Sequence, residues 1–297
     1  MNPYQILEEM AGSISILDII IFLLGLAVFV VWLLKTSCGK TSLEKSMPRR
    51  NNLPPYVPFV VMFFWFGIFA LSMTLKKHLL PHLPDRQNTY IDHLLLCFGA
   101  VTAMTLIILL VRNGFARRLK GFGLLPKNIL KDFGAAILNL LSVYPLVVLA
   151  LLTTMFFGKL IGGPDFQLHK HEELELMGQY NQLSIRIVIA ATVILITPIF
   201  EEMLFRGMFQ SVFRSYLVDL DARRPNPDPA RATWLAIIIT SGLFAVIHAN
   251  PEHWPALFVL SMGMGYAYEK SGSLIRPIFI HALFNATGIL VSWYNFK

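Results

Sequence analysis

Charged residues are scarce in this sequence. Only 14% of its 297 residues are charged, whereas 55% are hydrophobic, and the mean hydropathy is +0.59. An average soluble domain carries about 25% charged residues. This composition excludes an ordinary water-soluble globular protein and predicts an integral membrane protein.

Cysteine is also nearly absent. The two cysteines, Cys38 in a basic loop and Cys97 in an apolar run, indicate neither a disulfide framework nor a clustered metal–thiolate site. The zinc-protease helix pattern His-Glu-x-x-His does not occur. The sequence also suggests neither a Ser/His/Asp order nor a cysteine nucleophile. A catalytic function would therefore rest on a different arrangement of residues.

Long apolar runs, in contrast, fill most of the chain. The first is long enough to span a bilayer core, which takes about 20 helical residues. We expect every run to be a helix, because lipid offers backbone amides no hydrogen-bond partner. The predicted fold class is an all-α polytopic membrane protein with about eight transmembrane helices. The eight segments are roughly residues 14–34, 56–75, 91–111, 135–157, 184–217, 232–249, 255–269 and 277–294.

Basic residues predict the orientation of the chain. Lys and Arg concentrate in the loops after the first, third and fifth segments, whereas the loop after the fourth is richer in acids. Cytoplasmic loops carry an excess of Lys and Arg, so the odd-numbered loops are predicted to be cytoplasmic and both termini to lie outside. The net charge of +7 is then explained by a protein whose partner is the lipid bilayer, and no nucleic-acid partner is expected. The short loops suggest a bacterial plasma membrane.

One of these loops, residues 115–133, combines basic residues with scattered Phe and Leu. This composition fits an interfacial segment that lies on the inner leaflet. An ordinary positive cytoplasmic loop is an equally good interpretation, and the sequence leaves both open.

The fifth segment is too long for one straight crossing. No residue between Ile185 and Leu217 opposes a helix except Pro198. At 1.5 Å per residue such a helix would be about 50 Å long, well beyond the bilayer core. We expect it either to extend into the cytoplasm or to bend at Pro198, which removes a backbone hydrogen bond. Glu201 and Glu202 then lie within the membrane or close to its cytoplasmic side.

Polar groups inside the apolar segments are concentrated in the last third of the chain. A charged residue at the centre of a membrane helix costs about 2.5–3.5 kcal/mol on insertion scales, so such residues suggest a function. Residues four apart share a helix face. Glu202 is therefore better placed than Glu201 to pair with Arg206, because Glu201 points about 100° away. The full set is Glu201, Glu202, Arg206, His248, His281 and Asn285, with Phe244 four residues before His248.

If these faces converge, they supply the groups of an amide hydrolase. A Glu in a low-dielectric pocket becomes a base near neutral pH, a His can share the proton of a water, and a second His with an Asn can stabilise an oxyanion. Each residue alone has a simpler interpretation. Glu202 with Arg206 reads as a structural ion pair, His248 as a hydrogen-bonded helix contact, and Asn285 as a link between helices. Their joint occurrence favours catalysis.

Three short motifs resemble those of a known family. The chain reads Glu-Glu-x-x-x-Arg at 201–206, Phe-x-x-x-His at 244–248 and His-x-x-x-Asn at 281–285. In this order they resemble the CAAX-processing and bacteriocin-processing intramembrane endopeptidases, a group that includes the Ras-converting CAAX endopeptidase and the abortive-infection proteins. The resemblance covers residues 183–297, which we expect to form a protease core. The helices of residues 1–160 have no assigned role.

The resemblance implies a role for each motif residue. Glu201 would be the general base that activates water, and His248 would assist it. His281 and Asn285 would stabilise the oxyanion. The residues that would hold the helices together or contact the substrate are Glu202, Arg206 and Phe244.

No cofactor is expected, because the family is best described by a metal-free, glutamate-dependent mechanism. The residue types still permit zinc, since two His and a Glu are legitimate ligands. If a metal is present, its expected ligands are Glu201, His248 and His281.

The expected activity is an intramembrane endopeptidase that hydrolyses a peptide bond near the cytoplasmic leaflet with glutamate-activated water. Its partner would be a peptide or protein substrate, with a membrane-anchored substrate included. Eukaryotic members of the family act on prenylated C-termini, whereas bacterial peptides or membrane proteins fit this chain better. Two other functions stay open: a non-enzymatic immunity or scaffold protein, and a proton-coupled transporter. The lack of an internal repeat disfavours the transporter.

Overall fold

A computed structural model describes residues 3–6, 15–44, 46, 49–125, 128–169 and 172–295, without the side chains of residues 172 and 291–295. The described residues contain helices and no strand. Among the described residues, Asn51 and Phe115 form an isolated antiparallel bridge. The predicted all-α class is confirmed.

Eight long helices and two short ones follow one another along the described ranges. The short ones, α4 and α6, lie in the connections after the third and the fourth long helix. Nine of the ten are regular α-helices, and α7 combines α-helical and π-helical segments. The helices are α1 Ile16–Lys35, α2 Val57–Leu79, α3 Asp85–Gly114, α4 Arg118–Phe122, α5 Ile129–Gly162, α6 Glu172–Gln179, α7 Leu183–Asp221, α8 Pro229–Val246, α9 Trp254–Ser271 and α10 Ile275–Asn295.

Each predicted segment coincides with one long helix. Six helices of the described chain are long and apolar enough to cross a membrane, namely α1, α2, α3, α5, α7 and α8. The shorter apolar stretch of α10 is Ile275–Leu290. The polytopic class is therefore confirmed, whereas the count of eight crossings is not confirmed by length and apolarity. Residue 14, the first of the first predicted segment, lies outside the described residues.

Contacts between connections show that successive long helices run in opposite directions. At one end, Asn51 donates to Ser215 Oγ at 2.8 Å, and Leu274 N–H donates to the Gly123 carbonyl at 2.9 Å. These residues lie in or beside the connections that follow α1, α3, α7 and α9, and we call this end the basic end. At the opposite end, His169 pairs with Glu252 at 2.6 Å and thereby joins the connections after α5 and α8.

Helix α7 runs without interruption through Pro198. Two π-helical segments, Thr192–Ile196 and Met203–Gln210, flank the short α-helical stretch Thr197–Glu202. In the first π segment the Thr197 N–H donates to the carbonyl five residues back. A proline has no N–H to continue this pattern. The helix therefore changes its hydrogen-bond register at Pro198, and it extends well past the basic-end contact of Ser215.

The hydrophobic core lies around the middle of α7. Phe200 packs against Trp65 of α2 with ring centroids 5.0 Å apart, and Phe205 packs edge-on against Phe244 of α8 at 5.2 Å. Large apolar side chains elsewhere face outward, for example Leu23 of α1 and Phe63 of α2. An apolar outer surface suits contact with lipid chains. The core thus holds α7 at the centre of the bundle.

Candidate active site

The helices α8 and α9 set the surroundings of the acids on α7. Along α9, Ser261 contacts Arg206 and Gly265 contacts Gln210, so α9 runs parallel to α7. Along α8 the order is reversed, because α8 runs antiparallel to α7. There, Thr233 contacts Arg214, and Phe244 lies against Arg206. The turn between α8 and α9 therefore lies at about the level of the two glutamates.

Glu202 and Arg206 form the predicted pair. Arg206 Nε lies 3.1 Å from Glu202 Oε2, and both side chains are almost completely buried. The contact lacks hydrogen-bond alignment, since Glu202 Oε2 and Arg206 Nη1 have no hydrogen-bond partner among the described residues. Arg206 Nη2 instead donates to Ser261 Oγ at 2.8 Å. The ion pair is thus held from α9 as well as along α7.

His281 of α10 joins the pair from the other side. Its Nδ1 is hydrogen-bonded to Glu202 Oε1 at 2.9 Å. Its Nε2 lies 3.9 Å from Glu201 Oε2. That distance is too long for a direct hydrogen bond and suits a water held between the two atoms. His281 therefore bridges the two adjacent acids, although they point in different directions.

Glu201 is the acid that the protein leaves open. Its side chain is 17% exposed, whereas that of Glu202 is fully buried. Within the described chain, the buried oxygen Oε2 of Glu201 has no hydrogen-bond partner. A buried carboxylate oxygen normally has such a partner, so this oxygen is available to a ligand.

Phe244 is the aromatic centre of the site. Its ring lies 4.8 Å from that of His248 and 5.8 Å from that of His281, centroid to centroid. The guanidinium carbon of Arg206 lies over the same ring at 4.6 Å. A cation above an aromatic face is stabilised electrostatically. Phe244 thereby separates the two histidines and shields the buried arginine.

His248 has a defined tautomer. Its Nδ1 lies 2.7 Å from the Phe244 carbonyl, and a carbonyl oxygen can only accept a hydrogen bond. Nδ1 therefore carries the hydrogen in the neutral ring, and Nε2 is left as an acceptor. The indole N–H of Trp254 donates to the His248 carbonyl at 2.9 Å. Among the described contacts, no hydrogen bond or ion pair joins His248 to Glu201 or Glu202.

Asn285 is placed by the backbone irregularity of α7. Its Nδ2 donates to the Val193 carbonyl at 2.9 Å. Val193 is five residues before Pro198, so its carbonyl is the one that a residue with an N–H would have used in the π register. The side chain of Asn285 thus satisfies a carbonyl that Pro198 leaves free.

The ligands expected if a metal were present, Glu201, His248 and His281, are not grouped around one point in the described chain. Glu201 and His281 approach each other, but in the described chain no three His, Cys, Asp or Glu side chains are grouped to hold an ion. A zinc site normally needs three or four such ligands. The residues present therefore do not fit a metal.

Two contacts of the site were not predicted from the sequence. Ser261 binds Arg206, and Trp254 fixes the backbone of His248. The available signal for Ser261 is the small-residue spacing of Ser261, Gly263 and Gly265 in an apolar helix, which is typical of close helix packing. Val143 touches the position where a Gly263 side chain would start, at 2.4 Å. The signal for Trp254 is absent, because its partner is a backbone carbonyl.

The connection after α5 closes over the α8–α9 turn. His169 pairs with Glu252, and His253 Nε2 donates to the His169 carbonyl at 2.8 Å. A hydrogen bond from its own backbone N–H, aided by His169, holds the pKa of the Glu252 carboxyl below its usual range. The turn that carries His248 is therefore bound to the connection after α5.

Comparison with known proteins places all three motifs in one family region. Residues 183–287 match the family described as Type II CAAX prenyl endopeptidase Rce1-like. The match confirms the resemblance predicted from the motifs. A curated Escherichia coli protein, described as an uncharacterized 24.3 kDa protein, is 29% identical over 102 residues. The aligned part spans 33% of this chain and 42% of that relative. No solved structure matches the chain.

Proposed function

We propose that this protein is an intramembrane endopeptidase that hydrolyses a peptide bond with water activated by Glu201. One observation carries the proposal. Glu202 is engaged by His281 and Arg206, whereas Glu201 keeps a partnerless buried oxygen 3.9 Å from His281 Nε2. The match of residues 183–287 to an endopeptidase family supports the reaction class.

The hydrolysis begins with a water between Glu201 and His281. Glu201 takes one proton from this water, and the water oxygen attacks the carbonyl carbon of the peptide. The acceptor nitrogen Nε2 of His248 receives the water's second hydrogen as a hydrogen bond. When the tetrahedral intermediate collapses, the carbon–nitrogen bond breaks, and Glu201 returns its proton to the leaving amine. The products are a carboxylic acid and an amine.

The oxyanion of that intermediate is stabilised from α10. In this proposal His281 is doubly protonated: its Nδ1 donates to the Glu202 carboxylate, and its Nε2 donates to the oxyanion. Asn285 has two amide hydrogens, of which the Val193 contact uses one. With Arg206 charged, the two carboxylates and the two cations sum to zero.

The depth of the site favours cleavage in the half of the bundle nearer the basic end. Ser211 accepts a hydrogen bond from Asn51 at that end. Glu201 is ten residues from Ser211, about 15 Å of helix, and eighteen from Leu183, about 27 Å. The excess of Lys and Arg in the loops at this end supports a cytoplasmic position for it. We therefore propose cleavage near the cytoplasmic leaflet of a bacterial plasma membrane, on a peptide or membrane-anchored protein substrate.

The test compares wild type with Glu201→Ala on a fluorogenic peptide library in detergent, with and without a chelator. We expect wild-type cleavage to survive the chelator. Loss of the general base should slow cleavage by about 10²–10⁴-fold. Glu175→Ala, which removes an exposed acid from α6, is the matched control and should keep wild-type activity.

Equal cleavage by wild type and Glu201→Ala would remove Glu201 as the base. Loss of cleavage with the chelator would overturn the metal-free reaction. If folded wild type cleaves no peptide and carries protons across liposomes, the transporter interpretation replaces the protease.

A further inference from the structure

A group of exposed cations surrounds α4 at the basic end. Four of them lie in sequence between the last turn of α3 and the end of α4. The fifth comes from the connection after α1, where the Ala116 N–H donates to the Arg50 carbonyl at 3.1 Å. All five side chains are exposed. We call this group the cationic band, and its members are Arg50, Arg112, Arg117, Arg118 and Lys120.

The cationic band has no acidic partner in the part of the chain that the structure describes. The buried acids of the basic end are already engaged by other cations. Glu269 binds Arg49 and Arg214, and Asp132 binds Arg276. The exposed acids of this end, which are Glu44, Asp219 and Asp228, form no ion pair with the band. Five unpaired like charges repel one another, so the band is complementary to an external anion.

The position of the band matches the headgroup level of a bilayer. Arg112 stands in the last turn of α3, a helix apolar enough to cross the membrane. Beyond α4 the chain exposes Leu125 at 57% and Leu130 at 87%. Cations beside exposed apolar side chains at the end of a membrane helix are typical of an interfacial segment.

The backbone holds α4 with its charges outward. Phe122 at the end of α4 is fully buried, and its carbonyl accepts a hydrogen bond from Tyr268 at 2.9 Å. Gly123, with φ of +88°, then turns the chain back, and its carbonyl accepts from Leu274. Arg118 has φ of +49°, a conformation that L-residues with a side chain rarely adopt. This underside anchors α4 to α9 and leaves the opposite face to the cations.

We propose that the cationic band binds the phosphate headgroups of anionic phospholipids. Arginine suits this ligand, because its planar fork donates two parallel hydrogen bonds to a phosphate. The lipid source follows from the position of the band, since the chains of a bound lipid would lie against the apolar surface beside it. Binding of this kind favours the interfacial interpretation of the basic loop that contains α4 over that of an ordinary cytoplasmic loop.

The experiment titrates the full chain, in neutral detergent, with short-chain phosphatidylglycerol and follows binding by calorimetry. The test variant is Arg117→Gln/Arg118→Gln/Lys120→Gln, which keeps the backbone contacts of α4. Each basic residue near an anionic surface contributes about fivefold, so the triple variant should bind about a hundredfold more weakly.

A second triple variant controls for the loss of three charges. Lys40→Gln/Lys77→Gln/Arg223→Gln removes three exposed cations outside the band and should bind within about twofold of wild type. Arg117→Lys/Arg118→Lys keeps the charges and should retain most of the affinity. Phosphatidylcholine should not bind measurably, and glycerol phosphate should bind far more weakly than the lipid.

Three results would overturn the proposal. Wild-type affinity in the band variant would remove these cations from the site. Equal binding of phosphatidylcholine would show that charge plays no part. Glycerol phosphate binding as tightly as the lipid would indicate a site for a soluble phosphate.

Discussion

Two carboxylates inside the bundle, Glu269 and Glu201, have different surroundings. Glu269, at the basic end, has both oxygens bonded. Oε2 pairs with Arg49 at 3.0 Å and Arg214 at 2.8 Å, and Oε1 accepts from Gln210 at 2.9 Å. In the middle of the bundle, by contrast, Glu201 keeps an oxygen without a hydrogen-bond partner among the described residues.

The difference separates a structural site from a candidate chemical one. Glu269 joins three parts of the chain, namely the connection after α1, helix α7 and helix α9, and leaves no carboxylate oxygen for a ligand. Of the two adjacent acids, Glu202 is held by its contact with His281, whereas Glu201 stays available beside the same histidine. A protein that buries an open carboxylate accepts a desolvation cost, and such a cost is typical of functional sites.

Glu269→Gln should produce the largest loss of stability. The change removes the carboxylate that pairs with the buried Arg49 and Arg214, and breaking a buried pair in this way costs about 3–5 kcal/mol. The free energy of unfolding in detergent measures it. The matched variant Glu201→Gln should change that free energy by less than about 1 kcal/mol, since Glu201 has no ion pair shorter than 3.9 Å with any residue that the structure describes. Equal losses in both variants would erase the distinction between the two sites.

Gly207→Ala should have an intermediate effect. A side-chain carbon there would lie 2.1 Å from Phe122 Cζ, so α4 must move away from the π segment that carries Arg206. Overpacking of this kind costs about 1–3 kcal/mol. The control is Gly242→Ala in α8, where no atom lies within 4 Å. There alanine should be neutral or stabilise by up to about 1 kcal/mol, because it favours a helix more than glycine does. The thermal unfolding temperature of each variant measures the effect. A shift in the same direction for both variants would contradict the prediction.

Asn285→Ala should have the smallest effect on stability. It removes one neutral hydrogen bond, worth about 1 kcal/mol, to the Val193 carbonyl. In a Pro198→Ala background the new N–H can satisfy that carbonyl, so the same substitution should cost less. A double-mutant cycle measures this coupling. An identical cost in both backgrounds would show that Asn285 does not compensate for the proline.

The helical class and the long segments were predictable from composition alone. Lipid leaves the backbone no other structure, so apolar runs had to be helices. The Glu202–Arg206 pair was equally predictable, because residues four apart on one helix must be neighbours. The π segments of α7 were not predictable from local spacing, and the contacts made at them come from distant parts of the chain: Phe122 packs against Gly207, and Asn285 reaches Val193 from another helix.

The features of the candidate site also fall into those set by spacing along the sequence and those set by the packing of the helices. The sequence by itself determined which residues are candidates for the chemistry, and it determined which of them share a helix face because that is a property of spacing along one helix. Only the tertiary structure decided that Phe244 separates the two histidines and that His281 bonds Glu202 and leaves Glu201 open. His281 is 79 residues from Glu202 along the chain. Contacts over that separation follow from how the helices pack, and local spacing cannot encode them.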